Sequence, residues 1–308
     1  MRIYQHWHGV AAADRGASVA MGNFDGVHLG HQHVIRLAAS HGPLGIVTFE
    51  PHPRSHFAPD APPFRLMNAE ARANRLAKLD VQTLFELPFG AALATLTPKS
   101  FVTQVLSQGL GVSHVVVGAD FCFGKGRAGT GADLQSLCAK QGIGVTLADL
   151  ISLDGAEISS TQIRAALTEG DPARAAAMLG HWHRIDGEVI HGAKRGRDLG
   201  FPTANMDVSG LHLPRPGVYA VLADVLTGPQ AGRYLGAANL GVRPMFGVNQ
   251  PNLETYLLDF KGDLYGQHLS IAFVAFLRGE EKFDGLPALI AQMNIDCAKA
   301  RAVLEGQR

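Results

Sequence analysis

The chain has 308 residues, 46% of them apolar and 18% charged, a length that suits two domains and a composition that excludes long disordered regions. Lys and Arg together number 27, and so do Asp and Glu, so no global field draws the chain to nucleic acid or to an anionic membrane. Phosphate recognition, if any, has to be local.

The start Met1-Arg2-Ile3-Tyr4 lacks a continuous apolar h-region, and no apolar run reaches the length of a membrane span. Cys122, Cys138 and Cys297 lack C-x-x-C spacing and point to neither a disulfide framework nor a zinc site. The expectation is a cytoplasmic protein without nucleic-acid or membrane partners, a monomer or weak homo-oligomer.

From Val19 to about Ile151 strands and helices alternate. Ala17–Met21 reads as a buried strand, and Val34, Ile35, Leu37 and Ala38 begin a helical pattern behind it. Further apolar runs are 44–49, 81–85, 115–117 and 143–147. Helical spacing covers 70–79, 98–106 (Thr97 as cap, Pro98 as first residue) and 133–140. Such alternation predicts an α/β domain with a parallel sheet and a ligand crevice at the carboxyl ends of its strands.

Four segments fall at that edge. Gly22–Gln32, GNFDGVHLGHQ, is a strand-to-helix turn in which His28 and His31 share one face of the first helical turn. A helix N-terminus with two imidazoles makes a cradle for polyphosphate, although a plain βα connection needs no such role. Thr48–Arg54, TFEPHPR, holds two prolines that forbid regular structure. The segment 115–130 carries Lys125 and Arg127 among glycines. It fails as a Walker loop because Gly118 and Gly124 stand one residue too far apart and Gly126 follows the lysine, and a solvated basic loop also explains it. Glu157–Leu167, EISSTQIRAAL, enters a helix through Ser159, Ser160 and Thr161. A cap explains the serines, while Arg164, one turn on, suits a shared anion.

After a helix at 173–179 the texture changes to short runs bounded by glycine and proline, at 187–190, 218–226, 234–240, 253–260 and 269–276. These predict a small antiparallel barrel, followed from Leu286 by a helix that buries Leu289, Ile290, Met293 and Cys297. The expected boundary divides residues 1–182 from 183–308. In the second part, Gly192, Lys194, Gly196 and Arg197 form a basic glycine-rich loop suited to phosphates, or a solvated turn. If the following PTAN is extended, Thr203 and Asn205 face one side as oxygen donors suited to Mg²⁺.

The motifs together resemble a known family. H-x-G-H after a strand is similar to the signature of the Rossmann-like nucleotidyltransferases. The ordered set GNFDGVHLGHQ, TFEPHP, VGADFCFG and ISSTQIR resembles the adenylyltransferase half of bifunctional riboflavin kinase/FAD synthetases. GRDLGFPTAN, NLGVRPMFG, LETYLLDF and GDLYGQ resemble the kinase half, with Met245 where that family usually has Thr, and with LGHWH at 179–183 in place of its usual LGRPY-like residues.

The resemblance implies riboflavin phosphorylation by ATP to FMN in residues 183–308, then adenylylation of FMN by a second ATP to FAD plus pyrophosphate in residues 1–182. It implies that Gly22, Asn23, His28, His31, Ser159, Thr161 and Arg164 bind ATP for adenylylation, with His28 and His31 stabilising the transferring phosphates. Asp120, Phe121, Pro51 and His52 face the flavin there. In the kinase, Gly192, Lys194, Gly196, Arg197, Thr203 and Asn205 take ATP phosphates, Thr203 and Asn205 also Mg²⁺, and Glu254 is the general base. Two rivals are an adenylyltransferase for another acceptor fused to an unrelated barrel, and a flavin carrier without catalysis.

Overall fold

The computed structural model describes residues 1–153, 155–192, 200–243 and 250–306. Lys194, Gly196, Arg197 and Met245 lie outside them. The chain forms two compact units, one from residues 1–62 and 72–158, the other from 63–71 and 159 onward.

The first unit is a six-stranded parallel sheet. Its strands are β1 (Arg2–Tyr4), β2 (Ser18–Met21), β3 (Leu44–Glu50), β4 (Thr83–Pro88), β5 (His114–Gly118) and β6 (Gly144–Ala148), in the order β1-β4-β3-β2-β5-β6. Every residue of β2 and the first five of β3 are buried, as unbroken apolar runs in a parallel sheet require. The order reverses between β2 and β5, so a crevice opens where the loops after these strands diverge.

Helix α1 (Leu29–Ala39) follows β2, and a five-residue helix α2 (Pro53–Phe57) follows β3. α2 corrects the expectation that its prolines exclude regular structure. Pro53 takes the first helical position, where no N–H is needed, and the His52 ring accepts the Arg54 N–H at 3.0 Å as cap. Next come α3 (Ala69–Ala77), α4 (Ala91–Ala94) and α5 (Pro98–Ser100), which Thr97 caps. α5 runs on as a π-helical stretch to Leu110, four residues past the expected end, and stops where Gly111 turns left-handed at φ 63°. α6 (Gly131–Ala139) starts at a Thr130–Asp133 capping box. The sequence reading missed β1: three residues are too short to show a period, and only pairing with β4 makes them a strand.

The second unit contains α7 (Ser160–Glu169), α8 (Pro172–Leu179) and a closed antiparallel barrel, while a small hairpin before α7 belongs to the first unit. The hairpin itself is β7 (Ser152–Leu153) with β8 (Ala156–Glu157). The barrel strands are β9 (Arg184–Ile190), β10 (Ala204–Asp207), β11 (Gly217–Val225), β12 (Gly232–Arg243), β13 (Gln250–Leu257) and β14 (His268–Arg278), closing in the order β10-β13-β12-β11-β14-β9. Met206, Tyr219, Leu240, Leu253 and Phe273 fill the interior.

The alternate residues Leu222, Leu235 and Ala237 face outward. There they pack with Ala300 and Leu304 of α9 (Leu286–Glu305), and a buried leucine of this kind contributes about 1.5–3 kcal/mol. The expected burial on α9 is corrected: Asp296, Ala300 and Leu304 are its buried residues, whereas Leu289, Met293 and Cys297 line a cavity and Ile290 is half-exposed. Residues 63–71 join this unit through the Arg65–Leu211 bridge and a 2.7 Å bond from Asn68 Nδ2 to the Asp186 carbonyl. Among the described residues no helix is long and apolar enough to cross a membrane.

Candidate active sites

The β2–α1 turn is tightly wound. Phe24 (φ 52°) and Val27 (φ 44°) both sit in the left-handed region, which costs about 1–3 kcal/mol per residue and is worst for a β-branched side chain. Burial of both side chains holds them there, with Gln32 Nε2 donating to the Val27 carbonyl at 2.9 Å. His28 is the N-cap of α1, its Nδ1 accepting the His31 N–H at 3.3 Å, so the neutral ring carries its proton on Nε2.

The two imidazoles stack with centroids 3.6 Å apart and planes 18° from parallel. His31 is part-exposed at its edge yet densely surrounded, and desolvation, followed by the neighbouring His28 charge, drives its pKa well below the ordinary histidine value. Its Nδ1 is buried with no hydrogen-bond partner among the described residues. A stacked pair cannot hold two charges alone at a helix N-terminus, and a polyphosphate there would supply the counter-charge. Gly30 keeps this packing possible, since a Cβ there would come within 3.2 Å of the His28 ring.

A cavity of about 630 Å³ opens beside the turn. Gly22 and Asn23 form part of its wall, His52 and Arg54 another, and Asp120, Phe121 and Arg127 a third. Phe49, Phe89 and Phe123 add aromatic surface suited to a planar ring system. The structure thus gathers Gly22, Asn23, His52, Asp120 and Phe121 around one space, with Pro51 exposed beside it. Ser159, Thr161 and Arg164 belong to the second unit. Ser159 caps α7 by accepting the Gln162 N–H at 3.3 Å, Thr161 is exposed, and Arg164 Nε donates to the Phe64 carbonyl with the guanidinium over the Phe64 ring.

Arg72, which sequence reasoning passed over as one of several helical arginines, is 1% exposed. One terminal nitrogen donates to Glu86 Oε1 at 2.6 Å and Glu50 Oε2 at 2.9 Å, and the other lies 3.5 Å from the carbonyls of Asn23 and Phe49. Thr48 Oγ1 also donates to the Asn23 carbonyl, at 3.2 Å. The turn and the ends of β3 and β4 are therefore tied together behind the cavity. Only an arginine at helical spacing marked it in the sequence, and that pattern does not reveal burial.

The second site lies on the outer wall of the barrel. Asn205 on β10 stands directly opposite Glu254 on β13, and Glu254 is opposite Asn239 on β12. Residues paired in this way share a face. Thr203, Asn239 and Glu254 line a cavity of about 270 Å³ with Tyr256, and Leu289 and Met293 of α9 close its other side. Asn205 is 7% exposed, its Nδ2 donating to the Thr203 carbonyl at 3.2 Å. Gly192 approaches the same amide so closely that a Cβ would lie 2.5 Å from it.

Two neutral hard oxygens, the Thr203 hydroxyl and the Asn205 amide, fit Mg²⁺ on condition that phosphates and water complete its shell. Among the described residues no group of three His, Cys, Asp or Glu side chains forms a site for a metal held by protein alone.

A parallel sheet with a histidine-bearing helix start at the carboxyl end of a strand, in one chain with a barrel whose wall carries Glu254 beside Asn205 and Asn239, defines a nucleotide-dependent transferase with two sites. Residues 10–162 match the family model described as FAD synthetase, and residues 179–304 match the one described as riboflavin kinase. The bifunctional riboflavin kinase/FMN adenylyltransferase of Pseudomonas fluorescens is 40% identical, the match covering 98% of both chains. Its counterpart in Bacillus subtilis is 38% identical over 96% of this chain and 95% of that one. A crystal structure of a macrolide-efflux protein from Streptococcus pneumoniae has the same fold, with a TM-score of 0.80 and 28% identity over 97% of this chain and 98% of that one. The chain belongs to the family of bifunctional riboflavin kinases/FMN adenylyltransferases.

Proposed function

We propose that residues 183–308 transfer the γ-phosphoryl group of ATP to the 5′-hydroxyl of riboflavin, and that residues 1–182 transfer AMP from a second ATP to the resulting FMN. In the first reaction the ribityl oxygen bonds to the γ-phosphorus, the bond to ADP breaks, and Glu254 accepts the hydroxyl proton. In the second, an FMN phosphate oxygen bonds to the α-phosphorus and pyrophosphate leaves. The observation that carries this division is that each unit has its own cavity: one walled in part by Gly22 and Asn23 of the turn that also bears the stacked histidines, though His28 and His31 do not line it, and one lined by Glu254, which stands opposite Asn205.

Catalysis at both sites rests on positioning and charge stabilisation. His28 and His31 stabilise the transferring phosphates, with Gly22 and Asn23 assigned to the same ATP; for Ser159, Thr161 and Arg164 the assignment to ATP rests on the family resemblance alone. His52, Asp120 and Phe121 take the flavin. Thr203 and Asn205 hold Mg²⁺, which when bound neutralises phosphate charge. Gly192, Lys194, Gly196 and Arg197 are assigned to the kinase phosphates, the last three outside the described residues. A cytoplasmic location and a monomer or weak homo-oligomer complete the proposal. Chromatography of products from riboflavin, ATP and Mg²⁺ tests the reaction order: FMN appears first, then FAD, and FMN alone refutes adenylylation.

A further inference from the structure

Asn252 stands on β13 two residues before Glu254, so both side chains leave the same face of the strand. It is 7% exposed. Its Nδ2 donates to Asn205 Oδ1 at 3.0 Å and to Glu254 Oε1 at 3.1 Å. A side-chain amide nitrogen carries two hydrogens, so one group supplies both bonds. In register, Asn205 opposes Glu254 and Asp207 opposes Asn252, which makes Asn252 and Asn205 diagonal neighbours across the β10–β13 ladder.

We propose that Asn252 is a positioning residue of the kinase site, one amide that sets the metal-facing oxygen of Asn205 and the carboxylate of Glu254 relative to each other. The inference rests on the kinase reading given above and adds a residue to it. With Nδ2 of Asn205 bound to the Thr203 carbonyl and its Oδ1 bound by Asn252, both ends of that amide are specified and it cannot flip. A carbonyl oxygen has two lone pairs, and a bond from Asn252 on one leaves the other for a cation. The second hydrogen holds Oε1 of the Glu254 carboxylate. A bridge of this kind keeps the separation between cation and base constant while ATP and riboflavin exchange. Outer partners of metal ligands typically carry about 10-fold to 100-fold in affinity or activity.

The test uses full-length Asn252→Leu, close in shape and without donors, and Asn252→Ser, which keeps one donor. Asn252→Leu lowers kcat for FMN formation about tenfold or more and leaves the riboflavin KM within about twofold. Calorimetry with Mg²⁺ and ADP, which needs no turnover, shows Kd raised by about the same factor. Asn252→Ser recovers part of both losses, and FAD formation from supplied FMN is unchanged in either variant.

Circular dichroism melting confirms folding; if the leucine variant does not fold, the serine variant against wild type carries the comparison. A folded variant that keeps both kcat and nucleotide affinity, or loses only one of them, overturns the bridge. Glu254→Gln is measured in parallel. If that variant turns over normally, the kinase reading itself fails; if it is inactive while the Asn252 variants behave as wild type, only the present inference fails.

Discussion

On the function proposed above, the adenylyltransferase turn and the kinase wall solve one problem, holding nucleotide phosphates, with different materials. The turn places titratable rings at a helix N-terminus, where backbone N–H groups and the dipole already favour anions. The wall places neutral amides and one carboxylate, Glu254, on a strand face. The first is a loop site at the ends of parallel strands, the second a face site under a packed helix. The difference teaches that a parallel sheet aims its chemistry by where strands end, and a barrel by which residues share a register.

Four experiments break or sharpen this contrast. The largest effect falls on the wall: Glu254→Gln lowers FMN formation by about 10²–10⁴-fold, the usual contribution of a general base, and leaves adenylylation of supplied FMN intact. Steady-state assays of each half-reaction read it, and loss of both activities from a folded variant would refute the separation of sites.

Arg72→Met comes next. It strands Glu86, which is only 8% exposed, without its cation and destabilises the first unit by about 3–5 kcal/mol. Denaturant unfolding measures that loss, and Arg72→Lys recovers part of it. His28→Ala removes one of the stacked rings and lowers FAD formation by about 10²–10³-fold while FMN formation continues.

The smallest effect is a pH dependence of stability. His183 is 2% exposed, and burial first, then the charges of His181 and His212, lowers its pKa from 6.5 to about 3. Between these values the unfolded chain binds a proton that the folded chain does not, so stability rises with pH across that window and is lost as pH falls from 6.5 toward 3. Melting temperatures from pH 7 to 4 fall in the wild type and fall less in His183→Phe. His31, also depressed by burial, contributes with the same sign in the first unit.

The sequence made the βα alternation legible because apolar periodicity and glycine turns are local signals. It located the His28–His31 turn, the helix start at Thr97 and Pro98, a second one at Ser159 or Ser160, of which Ser159 is the cap, and the strand carrying Glu254, each from residues within one element. Its strand and helix ends shifted by one to four residues, as with β4 beginning at Thr83 and β13 ending at Leu257, because pairing partners and caps set where an element stops.

Tertiary structure alone decided which polar groups meet. Arg72 and Asn252 have no signature because burial and partners 14 to 49 residues away define them: Glu86, Glu50 and Asn23 for one, Asn205 for the other. The membership of residues 63–71 in the second unit is invisible for the same reason. Local sequence determines which elements form and which chemistry they bring. The long-range pairing of strands determines which of those groups face one another, and a site exists only where they do.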